Sequence, residues 1–237
     1  MQPRSWPFSR ARVLLPVIHL PLGEAGAFAA IDVAIEADAD GVFLINQGMR
    51  AHAVLQLLGA VKRRYRGLWV GVNLLGYPPE AVPTLPEARL MDGIWADDAG
   101  VDRLEPELAN ESAEAWRAAR VRGEFPGLYF GGTAFKTQDD IPDHMLPWVA
   151  RAAASFVDVV TTSGRATGVA ARVDKVRALR ETLGDHKLAV ASGVSPDNVA
   201  GILPYVDAYL VATGIERTFG VLDPARTKAL AEMIHAN

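Results

Sequence analysis

Polar residues that follow directly on apolar runs mark where this chain could do chemistry. They are His19 after VLLPVI, Asn46 after GVFLI, Asn73 after LWVGV, Asp97 and Asp98 after GIWA, Lys136 after LYFGGTAF, Thr161, Thr162 and Ser163 after FVDVV, Ser192 after LAVA, and Thr213 after AYLVA. A histidine exchanges protons near neutral pH and suits general acid or base work. A lysine ammonium pairs with phosphate, and when desolvated its amine attacks carbonyls. Adjacent aspartates on a strand point to opposite faces, so one of Asp97 and Asp98 must face whatever space the strand opens into, as a base or, with His19, as a ligand of a divalent ion. No HxH or HExxH pattern accompanies them, so the acidic pair alone is a weak metal signature. The amides of Asn46 and Asn73 suit hydrogen bonds to substrate hydroxyls or a ring. The plain alternatives are a hydrogen-bonded structural histidine, a lysine reaching along a rim to water, and asparagines that cap loops.

Two turns carry the strongest local signal. In LAVASGVSPDNV the strand gives way to Ser192-Gly193, with Ser195 placed as N-cap and Pro196 at the first helical position, so unpaired backbone N–H groups should gather near Gly193 and Val194 and favour an anion. About twenty residues on, LVATGIER repeats the plan, with Thr213 followed by Gly214, where the backbone can be approached closely. Thr161-Thr162-Ser163-Gly164 and Arg165-Ala166-Thr167-Gly168 form a hydroxyl- and glycine-bearing loop that suits a lid, with Arg165 able to fork onto a phosphate or carboxylate. Gly131 and Gly132 are expected to leave room near Lys136.

The elements that must position these residues repeat. Apolar runs of strand length begin at Val13, Gly41, Leu68, Gly93, Leu128, Phe156, Leu188 and Ala208, and segments with helical spacing lie between them, among them AHAVLQLLGAVKRRY, ESAEAWRAARV, DKVRALRETLG and PDNVAGILPYV, with DPARTKALAEMIH last. Strand then helix, about eight times over, implies parallel strands with right-handed crossovers. An open doubly wound sheet would carry a Gly-rich turn after its first strand, but His-Leu-Pro-Leu-Gly-Glu-Ala-Gly is not GxGxxG. The expected fold is α/β, a (β/α)8 TIM barrel forming a single domain over 1–237. Catalytic groups then belong at the C-terminal strand ends, and the two final turns form the phosphate site usual for such barrels.

Composition narrows the classes. The 237 residues are half hydrophobic and 22% charged with a net charge of -4, the balance of a folded domain with a large core. The basic run Lys62-Arg63-Arg64-Tyr65-Arg66 is short and reads as a helix end, so nucleic acid is not an expected partner. The absence of cysteine removes disulfides, thiolate nucleophiles and Cys-type zinc sites. The opening MQPRSWPFSRAR and the interrupted VLLPVIHLPL make a poor signal peptide, and no apolar stretch is long enough to cross a bilayer. A cytoplasmic protein without membrane insertion is the expectation, and a homodimer is an open one.

The phrases DGVFLIN, LWVGVNLL, WADDAG, LYFGGTAFK, DVVTTSGRATG, ASGVSPDNV and LVATGI resemble the BtpA family of TIM barrels over nearly the whole chain. The resemblance is strongest to a branch whose members often carry the label adenine phosphoribosyltransferase. It implies kinship with ribulose-phosphate-binding barrels, and the family's founding role is an accessory one in photosystem assembly. Thr137 stands after Lys136 where other members have a histidine, and strand four departs from them at the acidic pair. Phosphoribosyltransferases of the usual fold follow such a pair with a Thr-Gly-Gly-Thr-like phosphate loop, and Ala99-Gly100-Val101-Asp102 does not supply one.

The expected function is an enzyme acting on a small phosphorylated metabolite, a sugar phosphate or phosphoribosyl compound. Ser192, Gly193, Thr213 and Gly214 would hold the phosphate, Thr162, Ser163 and Arg165 would close over it, and Asn46 and Asn73 would bind the rest. Lys136, Asp97, Asp98 and His19 are the catalytic candidates. Phosphoribosyl transfer to a nucleobase and a non-catalytic assembly or ligand-binding role stand as alternatives. A divalent cation such as magnesium, and flavin at the phosphate site, stay open as cofactors.

Overall fold

The computed structural model describes residues 4–101, 111–123, 125–138 and 140–236; Asp102 of the acidic stretch lies outside them. Eight parallel strands close on themselves: β1 Val13–Ile18, β2 Val42–Ile45, β3 Val70–Asn73, β4 Gly93–Ala96, β5 Leu128–Gly132, β6 Val159–Ser163, β7 Lys187–Ala191 and β8 Ala208–Val211. The ring is completed by β8 against β1, in register from Val13 opposite Ala208 to Pro16 opposite Val211. Among the described residues six α-helices surround it: α1 Gly23–Glu36, α2 Ala51–Arg64, α3 Glu111–Arg122, α4 Leu146–Ala154, α5 Val173–Leu183 and α6 Pro224–His235. The architecture is the (β/α)8 barrel.

Two crossovers are not α-helical among the described residues. Between β3 and β4 the chain makes 3-10 turns at Pro79–Thr84 and Pro86–Leu90, because Pro79, Pro83 and Pro86 deny the backbone donors an α-helix needs. Between β7 and β8 the expected helix PDNVAGILPYV shrinks to the 3-10 turn Val199–Gly201. Here the Asn198 side chain competes with a helix: its Oδ1 accepts from Ser195 N and its Nδ2 donates to Gly193 O. Ser195 does accept the Asp197 N–H at 3.3 Å, but it caps a turn and no helix follows. Beyond β8 an unforeseen hairpin, β9 Glu216–Thr218 and β10 Val221–Leu222, folds back over the barrel end.

Alternation along the strands sorts the core into two layers. Val13, Leu15, Val17, Phe43, Trp95, Leu128, Phe130, Val159, Ala189 and Leu210 fill the barrel interior. Their neighbours Leu14, Leu44, Val72, Ile94, Tyr129, Val160, Val190 and Tyr209 pack outward against the helices. The same parity continued past the strand ends aims His19, Gln47, Asn73, Asp97 and Ser163 into the mouth. The opposite end is plugged by aromatic residues, with Trp6 on Phe8 at 4.9 Å and Phe8 on Trp69 at 5.2 Å between ring centroids.

At that plugged end Arg120 of α3 and Asp158, just before β6, form an ion pair of 2.8 Å with side chains 2% and 1% exposed. Asp158 also accepts the backbone N–H groups of Tyr129 and Arg4, and Arg120 donates to Gly127 O. Burial lowers the Arg120 pKa against the pull of Asp158. Asp158→Ala would strand a buried guanidinium and the Tyr129 N–H, so it should cost about 3–5 kcal/mol. The expected readout is a lower urea midpoint with an unchanged m-value.

Candidate functional site

The mouth holds two polar groupings. On one side, Asn73 donates its amide to Asp97 Oδ1 at 3.0 Å. Asp97 is half-buried, and burial pushes its carboxyl above the ordinary carboxylate value; the Asn73 hydrogen bond and the charge of Lys136 pull it back, while Asp98 pushes it further up. Lys136 answers in the opposite sense, its ammonium drawn below the ordinary lysine value by burial and partly restored by Asp97. An acid and a base are thus brought toward each other and toward neutrality, the condition that suits proton transfer. Asp98 is exposed and accepts the Gly100 N–H at 2.8 Å, so of the two aspartates it is Asp97 that faces the mouth.

Lys136 arrives there by a route the sequence did not suggest. Strand β5 stops at Gly132, and Lys136 stands on the loop beyond it, its N–H donated to Ser163 Oγ at 2.8 Å and its Nζ to Thr167 Oγ1 at 3.3 Å. Gly131 and Gly132 leave no room for it. A Cβ on Gly132 would lie 1.9 Å from Asp97 O, and one on Gly131 2.3 Å from Val157 Cγ1, so these glycines let neighbouring chain pack close and seat the Asp97 loop.

On the other side, His19 is buried and held at both nitrogens. Its Nδ1 donates to Glu216 Oε1 at 3.0 Å, and its Nε2 lies 2.9 Å from Gln47 Oε1. Glu216 also accepts the Gly220 N–H, and the Phe219 ring lies 4.5 Å from the imidazole. The carboxylate holds a proton on Nδ1 and sets the orientation of the ring, with Nε2 turned toward the mouth beside the Gln47 amide. Glu216 and Gln47 were missed in the sequence. Their signal is topological: a closed barrel sets β8 and β2 on either side of β1, so the polar residues after those strands flank His19.

Among the remaining residues, Asn46 is turned to the backbone, with Nδ2 donating to Met49 O and Leu75 O and Oδ1 accepting from Leu75 N. Thr162 points outward to Ala134 O at 3.3 Å, whereas Ser163 points inward. Arg165 is exposed on the loop after β6. Among the described residues no three His, Asp or Glu side chains gather as a metal site.

Three loops converge beside this machinery. Ser192, at φ 81, accepts the Gly168 N–H at 3.1 Å and donates to Ala166 O at 3.2 Å, tying the loop after β6 to the loop after β7. A Cβ on Gly168 would stand 3.7 Å from Thr213 Cγ2, which brings the loop after β8 to the same place. Gly193, at φ 70, has the Val169–Ala170 backbone where a side chain would begin, 2.2 Å away, and a Cβ on Gly214 would meet Val194 O at 1.8 Å. The N–H groups of Gly193, Val194, Thr213 and Gly214 have no backbone or side-chain acceptor among the described residues. The missing helix removes one expected source of anion affinity, while these four donors remain.

Residues 133–236 match the BtpA family, a span that takes in Lys136, the loop after β6 and both final turns but not His19, Asn73 or Asp97. An uncharacterized protein from Archaeoglobus fulgidus is 26% identical over 212 residues, covering 87% of this chain and 82% of the relative. Phosphoribosyl anthranilate isomerase from Thermus thermophilus shares the fold at a TM-score of 0.63 and 17% identity, over 94% of this chain and 98% of that one. So does (S)-3-O-geranylgeranylglyceryl phosphate synthase from Thermoplasma acidophilum, solved with sn-glycerol-1-phosphate, at a TM-score of 0.65 and 18% identity over 96% of this chain and 94% of that one.

Proposed function

We propose that this chain is a BtpA-type barrel enzyme that acts on a small phosphorylated metabolite, a sugar phosphate or phosphoribosyl compound. The observation that carries this reading is that the two final turns lie against each other beside a loop pinned by Ser192, and that the N–H groups of Gly193, Val194, Thr213 and Gly214 in them have no acceptor among the described residues. Backbone donors held in this way suit a phosphate, whose oxygens accept several charge-assisted hydrogen bonds at once. With the phosphate so placed, Asp97 takes up and returns a proton, Lys136 neutralises negative charge that develops on the substrate, and His19, oriented by Glu216, serves as acid or base from the opposite side. The likeness to enzymes whose names carry phosphorylated substrates supports the same class.

Phosphoribosyl transfer, in which an acidic pair would hold diphosphate through magnesium, is less well supported, because Asp97 and Asp98 point apart. The deciding experiment is thermal unfolding against sugar phosphates, nucleotides and phosphoribosyl diphosphate, each with and without magnesium. A ligand at 100 times its Kd should stabilise the native state by about 2.7 kcal/mol. Ser192→Asp is the matched control: aspartate tolerates the positive φ at this position, while its carboxylate repels phosphate. A stabilising phosphate lost in Ser192→Asp is the expected result. Stabilisation only with magnesium and phosphoribosyl diphosphate would favour the transferase, and no stabilisation by any phosphate would favour a non-catalytic assembly role.

A further inference from the structure

Beside the mouth, between the loops after β5 and β6 and the start of α5, lies a cleft of about 950 Å³ whose lining includes Lys136 but neither Asp97 nor the proposed phosphate turns. Among the described residues four cationic side chains line it, Lys136, Arg165, Arg172 and Lys175, against two carboxylates, Asp140 and Asp143. One of those carboxylates is taken, since Arg172 pairs with Asp143 through a single guanidinium nitrogen and keeps the rest of its fork. The described lining therefore carries an excess of positive charge and spare donors.

Lys175 is the most telling member. Its Nζ donates to Ala134 O and to Ser163 O, and the third N–H of the ammonium has no acceptor among the described residues. Ala134 adopts φ 50, a left-handed conformation that an alanine enters only at a steric cost. That conformation presents its carbonyl to both Lys175 and Thr162. Burial, Arg172 and Arg165 pull the Lys175 pKa down to about 8, against Asp140 and Asp143. A half-buried ammonium set beside two guanidinium groups is an unfavourable arrangement that an arriving anion would relieve.

We propose that this cleft is a second phosphate subsite, held by Arg165, Arg172 and Lys175, so that the ligand of this barrel carries two phosphate groups. With Arg172 shared with Asp143, the three cations leave about two positive charges for a phosphate that carries about two negative ones, and they offer a donor to each of its three terminal oxygens. Lys136 lines the same cleft and is coupled to Asp97, so the second group would sit at the edge of the reactive pair. The inference rests on the proposed function only for the first of the two phosphates, the one on the final turns.

Titration calorimetry of the whole chain with inorganic phosphate at low ionic strength tests it, on wild type, Ser192→Asp and Arg172→Ala. Arg172 touches neither turn, and its loss uncovers Asp143. The expected result is two phosphates on wild type and one on Ser192→Asp, with the cleft site weakened about tenfold or more in Arg172→Ala, in line with the loss of a charged hydrogen bond. Arg172→Lys should restore part of it. Binding that remains in Ser192→Asp should weaken as pH rises through about 8, where Lys175 discharges. Wild-type stoichiometry and affinity in Arg172→Ala would overturn the second subsite and leave the turns standing. Loss in Arg172→Ala with none in Ser192→Asp would uphold the cleft and overturn the turns, and no phosphate on wild type would overturn both.

Discussion

With asparagine in place of Asp97, turnover should fall by about 10²–10⁴, the usual contribution of a positioned acid or base, while the unfolding midpoint of the ligand-free protein rises. The two effects have one origin. Burial raises the Asp97 pKa in the folded state, so between the ordinary carboxylate value and the raised one the folded chain binds more protons than the unfolded chain. Stability therefore declines as pH climbs through that window and stays lower above it. An amide at the same position keeps an oxygen for Asn73 to donate to, carries no charge to desolvate, and should flatten that decline. A group retained only for packing would behave the other way, with its replacement losing stability and leaving the pH profile of turnover alone. Wild type should show an acid limb above the ordinary carboxylate range. Lys136→Met, which removes the charge that pulls the Asp97 pKa down, should move that limb to still higher pH. Steady-state rates across pH, set beside unfolding midpoints over the same range, check all three statements.

The contrast between Asp97 and Asp98 shows what a sequence can and cannot say about such a site. Apolar runs and their punctuation located all eight strands, because a strand buried on both faces must be nearly continuous in apolar residues. Parity then guarantees that adjacent aspartates diverge, but which one faces inward depends on where the strand begins, and that is set by partners far along the chain. Lys136 illustrates a different limit. LYFGGTAFK reads as one unbroken run, and only the crowding of Gly132 against Asp97 O and the left-handed Ala134 end the strand early. The helix expected after β7 failed for a local reason, the Asn198 amide capturing Ser195 and Gly193, which a count of apolar spacing does not weigh. Glu216, Gln47 and Lys175 come from segments whose neighbours are settled only when the barrel closes, so no nearby motif announces them.

Gly193 carries the second large effect. Alanine there should weaken phosphate binding by about 10- to 100-fold, the loss of a hydrogen bond to a charged group worth about 1.5–3 kcal/mol. Two costs combine at this position. The backbone stands at φ 70, where any side chain adds about 1–2 kcal/mol, and the new Cβ would lie 2.2 Å from Val169 C and 2.3 Å from Ala170 N. Those are backbone atoms with no rotamer to yield, so the loop after β6 must be pushed away from the turn. Such a movement pulls Gly168 and Ala166 off the Ser192 hydroxyl that holds them. Gly184, which ends α5 at φ 56 with nothing within 4 Å of its added Cβ, separates the two costs. Gly184→Ala should lose a comparable amount of stability to the backbone alone and keep full phosphate affinity. Gly193→Ala should lose stability and affinity together, read from unfolding midpoints and phosphate titrations on the same preparations. Equal affinity in the two variants would mean that the loop after β6 and the turn after β7 do not act as one unit, and the site would then have to be sought away from Ser192.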